Sequence, residues 1–223
     1  MKYISVAIDG PSGAGKSTLA RKAASLLGYL YVDTGAIYRT VALSAVRSGI
    51  DPKDAAALIP TLAGLDIRLE YAADGLQHMY LNGEDVSDAI RVHEISQHAS
   101  TVSAIPEVRA FLLELQRDLA RKNNVIMDGR DIGTVVLPEA QVKIFLTASP
   151  QSRAHRRYLE LQQRGQDTDP DTVLKDIIKR DEQDTNRPIA PLRQAEDAVL
   201  LDTTALNLEQ SLQAILDIIK ERV

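Results

Sequence analysis

The eight residues Gly10-Pro11-Ser12-Gly13-Ala14-Gly15-Lys16-Ser17 satisfy the pattern G-x-x-x-x-G-K-S/T at every fixed position, the signature of a phosphate-binding loop. Its glycines let the backbone curl closely around an anion. Successive N–H groups, and the helix N-terminus that follows, attract negative charge. Lys16 is placed to reach terminal phosphates, and the Ser17 hydroxyl to ligate Mg2+ directly. Gly10 through Thr18 is therefore the candidate triphosphate-binding segment. The plainer alternative is a glycine-rich turn that happens to precede Lys-Ser. The loop alone does not separate a kinase from a GTPase, a motor ATPase or a nucleotide-gated binding module. No Asn-Lys-x-Asp guanine-reading motif occurs in the chain.

Three further groups carry chemistry suited to a second phosphate. Tyr31-Val32-Asp33-Thr34-Gly35-Ala36-Ile37-Tyr38-Arg39 places Arg39 on the first turns of a helix; Asp33 and Thr34 would each serve as its N-cap. Asp128-Gly129-Arg130-Asp131 follows the apolar run Val125-Ile126-Met127, at the carboxyl end of a core strand, where ligands sit in open parallel sheets. Asp128 has the position of an acid supporting Mg2+ through water, and a structural Arg130–Asp131 pair is the bland alternative. Arg153, Arg156 and Arg157 share one helix face, as do Arg180, Asp184 and Arg187. Asp184 returns to the apolar side of its helix, where an acid is costly unless paired. The arginine spacings can converge on phosphate, for which planar bidentate donors are suited.

The elements that must position these groups follow from the apolar pattern. Short buried-strand runs lie at residues 4–8, 30–32, 125–127, 142–146 and 198–201. Helical patterns lie at residues 16–27, 37–46, 108–121, 150–164, 171–184 and 208–220. This alternation predicts an α/β fold of three layers (α/β/α) around a five-stranded parallel sheet. Residues 65–86 instead alternate with period two around Asp74-Gly75 and Asn82-Gly83, which predicts a small antiparallel insertion.

Composition narrows the class. The chain of 223 residues has no cysteine, which removes disulfides, thiolate catalysis and Cys-ligated metal sites. A formal charge of −5 argues against a protein that tracks nucleic-acid phosphates. No run approaches the ~20 apolar residues of a membrane span, and the start lacks a cleavage pattern. A soluble, cytoplasmic protein is expected.

Together these residues resemble the bacterial cytidylate kinase (CMP/dCMP kinase) family of P-loop nucleoside-monophosphate kinases. The matching motifs are Ile8-Asp9-Gly10 with the loop after it, Asp33 to Arg39, and Asp128-Gly129-Arg130-Asp131-Ile132-Gly133-Thr134-Val135-Val136. Ala154-His155-Arg156-Arg157, Arg180-Asp181, Asn186-Arg187 and Ala190-Pro191-Leu192 complete the likeness, which spans essentially the whole chain. The resemblance implies a P-loop NTPase-type core (1–62, 104–149, 168–223), a monophosphate-binding insertion (about 63–103) and a short helical lid (about 150–167). It also implies transfer of the ATP γ-phosphoryl group to CMP or dCMP with Mg2+, by a monomer. Other small P-loop kinases, acting on UMP, AMP or shikimate, and a non-catalytic nucleotide-binding module are the alternatives.

Family sites map onto Thr34, Arg39, Ser100, Arg109, Arg130, Asp131, Arg180, Asp184 and Arg187 for the acceptor. Thr34 stands where some members have Ser. Asp131 would accept from the cytosine amino group, the pairing by which acids read cytosine, with Ser100 and Arg109 facing the ring acceptors. Asp184, helped by Arg180, would bind the sugar hydroxyls, and Arg39, Arg109 and Arg130 the monophosphate. Lys16, Arg130, Arg157, Arg180 and Arg187 would supply positive charge to the transferred group, with Arg157 also on ATP. The four histidines show no triad pattern, and a phosphate nucleophile ionised above about pH 6 needs no general base.

Overall fold

Valine, isoleucine and methionine runs make the central strands. In the computed structural model, which describes residues 3–71, 77–163, 165–166 and 168–223, the chain begins with β1 (Ser5–Asp9), α1 (Lys16–Leu27), β2 (Leu30–Asp33) and α2 (Thr34–Arg47). A short α3 (Ala55–Leu58) and a 3-10 turn (Ile59–Gly64) lead into β3 (Ile67–Tyr71), β4 (Gln77–Leu81) and β5 (Glu84–Asp85). Then come α4 (His93–Val102), α5 (Pro106–Lys122), β6 (Val125–Gly129), a π turn (Ile132–Val136) and β7 (Val142–Thr147). The chain closes with α6 (Pro150–Gln163), α7 (Pro170–Asn186), β8 (Val199–Asp202) and α8 (Leu208–Arg222).

Contacts divide the chain into a unit of Met1–Leu30 with Asn123–Val223 and a unit of Tyr31–Lys122. The first carries β6, β1, β7 and β8 of a five-stranded sheet of order β2-β6-β1-β7-β8. Parallel registers run Ser5↔Val125 to Asp9↔Gly129, Val6↔Val142, and Ile144↔Val199. β2 enters the sheet at Leu30, whose amide donates to the Asn124 carbonyl at 2.8 Å. Val6, Ile8, Ile126, Met127, Val142 and Ile144 are almost fully buried, as strands covered on both faces are. Each such side chain contributes about 1.5–3 kcal/mol by leaving water, so Ile126→Ala would empty the middle of the sheet. α1 and α8 pack on each other and against β6 and β7. Gly28, at φ 66°, ends α1 in the left-handed conformation that stops a helix without a Cβ clash. Every core strand runs one residue beyond its apolar run, two in β6, to Asp9, Asp33, Gly129, Thr147 and Asp202. The ladder needs backbone groups rather than apolar side chains, so it continues past the apolar run.

In the second unit Asp33 caps α2, its Oδ1 accepting from the Ala36 amide at 2.9 Å. The helix therefore starts at Thr34, three residues before its apolar stripe. The insertion is the expected antiparallel sheet, in order β3-β4-β5 with register Ile67↔Leu81. Asn82 and Gly83 both have positive φ (51° and 86°), the backbone of the two-residue hairpin turn that Asn-Gly favours. The Asp74-Gly75 turn lies outside the described residues. The short α3 and α4 were not expected; α4 buries only Ile95, Ala99 and Val102, a stripe too small to stand out among Ser, Gln, His and Thr. Among the described residues no helix is long and apolar enough to cross a membrane.

Candidate active site

The phosphate-binding loop joins β1 to α1 and is shaped by close approach. A Cβ on Gly10 (φ +150°) would stand 1.9 Å from the Leu146 carbonyl oxygen, so no other residue fits. Gly13 (φ +73°) lies against Arg153 and Ile177. Lys16 is buried and donates from Nζ to the Pro11 carbonyl at 2.7 Å. Burial, then the positive charge of Arg130, pushes the Lys16 pKa well below the usual lysine value, while Asp128, Asp184 and Asp9 oppose this. The Ser17 hydroxyl donates to Asp128 Oδ2 at 2.9 Å.

At the end of β6 the chain turns through Gly129-Arg130-Asp131 into the π turn. Arg130 Nε donates to Asp184 Oδ2 at 2.6 Å, and Arg187 Nη2 to Asp131 Oδ1 at 3.2 Å. Arg187 Nε is fixed by the Ala190 carbonyl at 2.6 Å. The pairing thus runs from the strand end across to α7 and the residue that ends it. Asp184 needs a partner, as its place on the apolar side of α7 requires, and Arg130 supplies it. Burial pushes the Asp184 carboxyl up, but Arg130, Arg180 and Arg187 outweigh it and hold it below the usual carboxylate range.

The arginines of α6 do not converge as their spacing suggests. Arg153 donates to the Ala148 and Ser12 carbonyls at 2.8 and 2.9 Å and grips Asp181 at 3.0 and 2.6 Å. Arg156 donates to the Thr203 carbonyl at 2.7 Å. These two brace the loop and the strand end from behind. Arg157, paired with Glu160 at 2.8 Å and 30% exposed, keeps a solvent-facing guanidinium.

The second unit holds the other expected residues. Asp33 Oδ2 accepts from Arg39 Nη2 at 2.8 Å, and Gly35 leaves room for that pair. Arg39 Nε is a buried donor without an acceptor among the described residues. The Arg109 guanidinium lies 5.6 Å from the centre of the Tyr38 ring, a cation–π arrangement. Thr34 is buried in the first turn of α2, and Ser100 is half-buried on α4.

The chain matches the cytidylate kinase family over residues 6–221. It belongs to that family. The cytidylate kinase of Caldicellulosiruptor bescii is 50% identical over 218 residues, covering 98% of this chain and 96% of the relative. That of Geobacter sulfurreducens is 51% identical over 217 residues, covering 97% and 93%. The crystal structure of an uncharacterized protein from Eubacterium ventriosum aligns over 99% of this chain and 100% of its own, with a TM-score of 0.54 and 13% identity, a likeness of fold alone.

Ser17 Oγ and Asp128 are hard oxygen donors already in contact, which suits Mg2+. Among the described residues no cluster of three His, Cys, Asp or Glu could hold a metal. Mg2+ is commonly bound by one or two protein oxygens together with water and substrate phosphate. Two residues in this family member escaped sequence reasoning. Arg153 is read as one of a cationic trio until its burial is seen. Asp9 accepts from the Ile132 and Gly133 amides at 2.7 Å each; its sequence signals are an acid at the end of an apolar strand and its place in the Ile8-Asp9-Gly10 motif, neither of which names a role. Burial pushes its carboxyl up to about 6, although the two amides pull it down.

Proposed function

We propose that this cytidylate kinase family member transfers the γ-phosphoryl group of ATP to CMP or dCMP, giving ADP and CDP or dCDP. The observation that carries the reading is the crossed, buried set Arg130–Asp184 and Arg187–Asp131, beside a complete phosphate-binding loop. Pairs of this kind hold guanidinium and carboxylate groups ready for a ligand that is both anionic and rich in hydrogen-bonding groups.

Residues Gly10 to Thr18 hold the ATP phosphates, with Arg157 on the same nucleotide. Lys16 exchanges the Pro11 carbonyl for the terminal phosphates, and their negative charge favours its protonated form. Ser17 would hold Mg2+ directly and Asp128 through water; when bound, the ion neutralises charge on the β- and γ-oxygens. Arg130, Arg180 and Arg187 stabilise the transferred group. The attacking oxygen is already ionised at neutral pH, so alignment and charge neutralisation supply the rate.

Asp131 accepts from the cytosine amino group, and a uracil carbonyl there would leave a buried acceptor unmatched at a cost of about 1–3 kcal/mol. Ser100 and Arg109 face the ring acceptors, Asp184 with Arg180 takes the sugar hydroxyls, Arg39 and Arg109 join Arg130 on the monophosphate, and Thr34 adds a hydroxyl. Residues 63–103 are assigned to acceptor binding and 150–167 to a lid that excludes water, on a core of 1–62, 104–149 and 168–223. A cytoplasmic monomer is the accompanying assignment. A coupled ADP-release assay across CMP, dCMP, UMP, AMP and shikimate tests the reading. Turnover with CMP and dCMP is expected; ADP release without any acceptor would mark an ATPase instead.

A further inference from the structure

Asp9 is a buried acid that the phosphoryl-transfer reading leaves without a role. It closes β1, is 5% exposed, and sits opposite Gly129 in the ladder. Oδ1 accepts from the Ile132 amide and Oδ2 from the Gly133 amide, both at 2.7 Å. These two amides directly follow Arg130 and Asp131. Gly133 is also closely walled: a Cβ there would stand 3.1 Å from Lys143 Cδ and 3.4 Å from Asp9 Oδ2. Lys143 is itself fixed, its Nζ donating to the Pro138 carbonyl and, at 3.0 Å, to Asp197 Oδ1. A shift of residues 131–133 away from Asp9 therefore breaks charge-assisted bonds, and a side chain at Gly133 would crowd Lys143 and Asp9 together.

A carboxylate that takes two consecutive amides fixes the orientation of a short backbone segment more strongly than neutral bonds do. What that segment orients is the pair of side chains before it, each meeting its own partner on or beside α7. We propose that Asp9 is a positioning residue for the acceptor nucleotide. By clamping the Ile132 and Gly133 amides, it sets the directions in which Arg130 and Asp131 project, without touching the nucleotide. This inference rests on the assignment of Arg130 and Asp131 to CMP.

The test is steady-state kinetics of Asp9→Asn and Gly133→Ala, alone and in an Asp131→Asn background, with ATP affinity measured separately by calorimetry without acceptor. Asparagine keeps one acceptor oxygen and turns an amino group toward the other amide. Gly133→Ala crowds the same segment against Lys143 and Asp9, and it keeps the test open should Asp9→Asn fold poorly. For Asp9→Asn the KM for CMP should rise about tenfold or more while ATP affinity changes less than about twofold, and Gly133→Ala should act in the same direction. In the Asp131→Asn background the effect of Asp9→Asn should shrink to the share that Arg130 carries, a coupling that a general loss of stability does not produce. Unchanged CMP kinetics in both variants, equal losses for ATP and CMP, or the same fold-change in both backgrounds would overturn the proposal. An active wild type with an indifferent Asp9→Asn rejects the positioning role alone. A wild type inert toward CMP rejects the acceptor assignment and this inference together.

Discussion

Lys16 shows how a side chain can be legible in type and yet hidden in state. Its place in the loop follows from the motif, but its donation to Pro11 and its depressed pKa come from burial beside Arg130. Lys16→Ala should lower kcat by at least about 100-fold with the thermal midpoint nearly unchanged; near-wild-type turnover would remove Lys16 from catalysis. Asp131→Asn swaps an acceptor oxygen for a donor, so the ratio of kcat/KM for CMP over UMP should fall by about tenfold. A ratio that holds would refute cytosine reading by Asp131. For Asp184 the structure changes which variant is informative. Deleting the side chain strands Arg130 in the interior at a cost of about 3–5 kcal/mol, so Asp184→Ala mixes stability with binding. Asp184→Asn keeps an acceptor for Arg130 and should raise the KM for CMP and dCMP together, and unchanged values for both would count against a sugar contact.

The five core strands and the antiparallel insertion are readable as elements because buried strands and Asn-Gly hairpins leave strong local signals. What escapes is the last residue or two of each strand, since the apolar run ends before the backbone ladder does. The start of α2 escapes for a related reason: Asp33 and Thr34 cap equally well on paper, and the Asp33–Ala36 bond settles which one does. Asp33 also holds Arg39, so one acid both starts the helix and aims a guanidinium. The loop between β1 and α1 permits the sharpest prediction at this scale. Gly10→Ala places a methyl group 1.9 Å from the Leu146 oxygen. The backbone must then move, and the thermal midpoint should fall by roughly 5 °C or more, with ATP binding lost. A variant that melts and binds as wild type does would show that the loop is looser than its geometry implies.

For the molecule as a whole, net charge and chemistry point in different directions. The −5 balance describes the solvent-facing surface, while 17 of the 26 basic residues are arginines, several of them in interior pairs. The sequence exposes the number and spacing of these arginines but not their division of labour. Arg153 braces the Ser12 carbonyl and Arg156 the Thr203 carbonyl, while Arg130 and Arg187 pair with Asp184 and Asp131; only distances between chain segments separate these uses. The family assignment was legible from contiguous motifs, whereas the Arg130–Asp184 and Asp9–Gly133 contacts join residues 54 and 124 positions apart. Because the fold is held by apolar burial and protein–protein pairs, chelating Mg2+ should abolish turnover while circular dichroism stays native. Unfolding on chelation would show a structural metal that this account lacks. The most direct measurement of the central claim is product identity. With ATP, Mg2+ and CMP, anion-exchange chromatography should show ADP and CDP rising in equal amounts, and neither with Lys16→Ala. ADP accompanied by inorganic phosphate, with no CDP, would contradict the account.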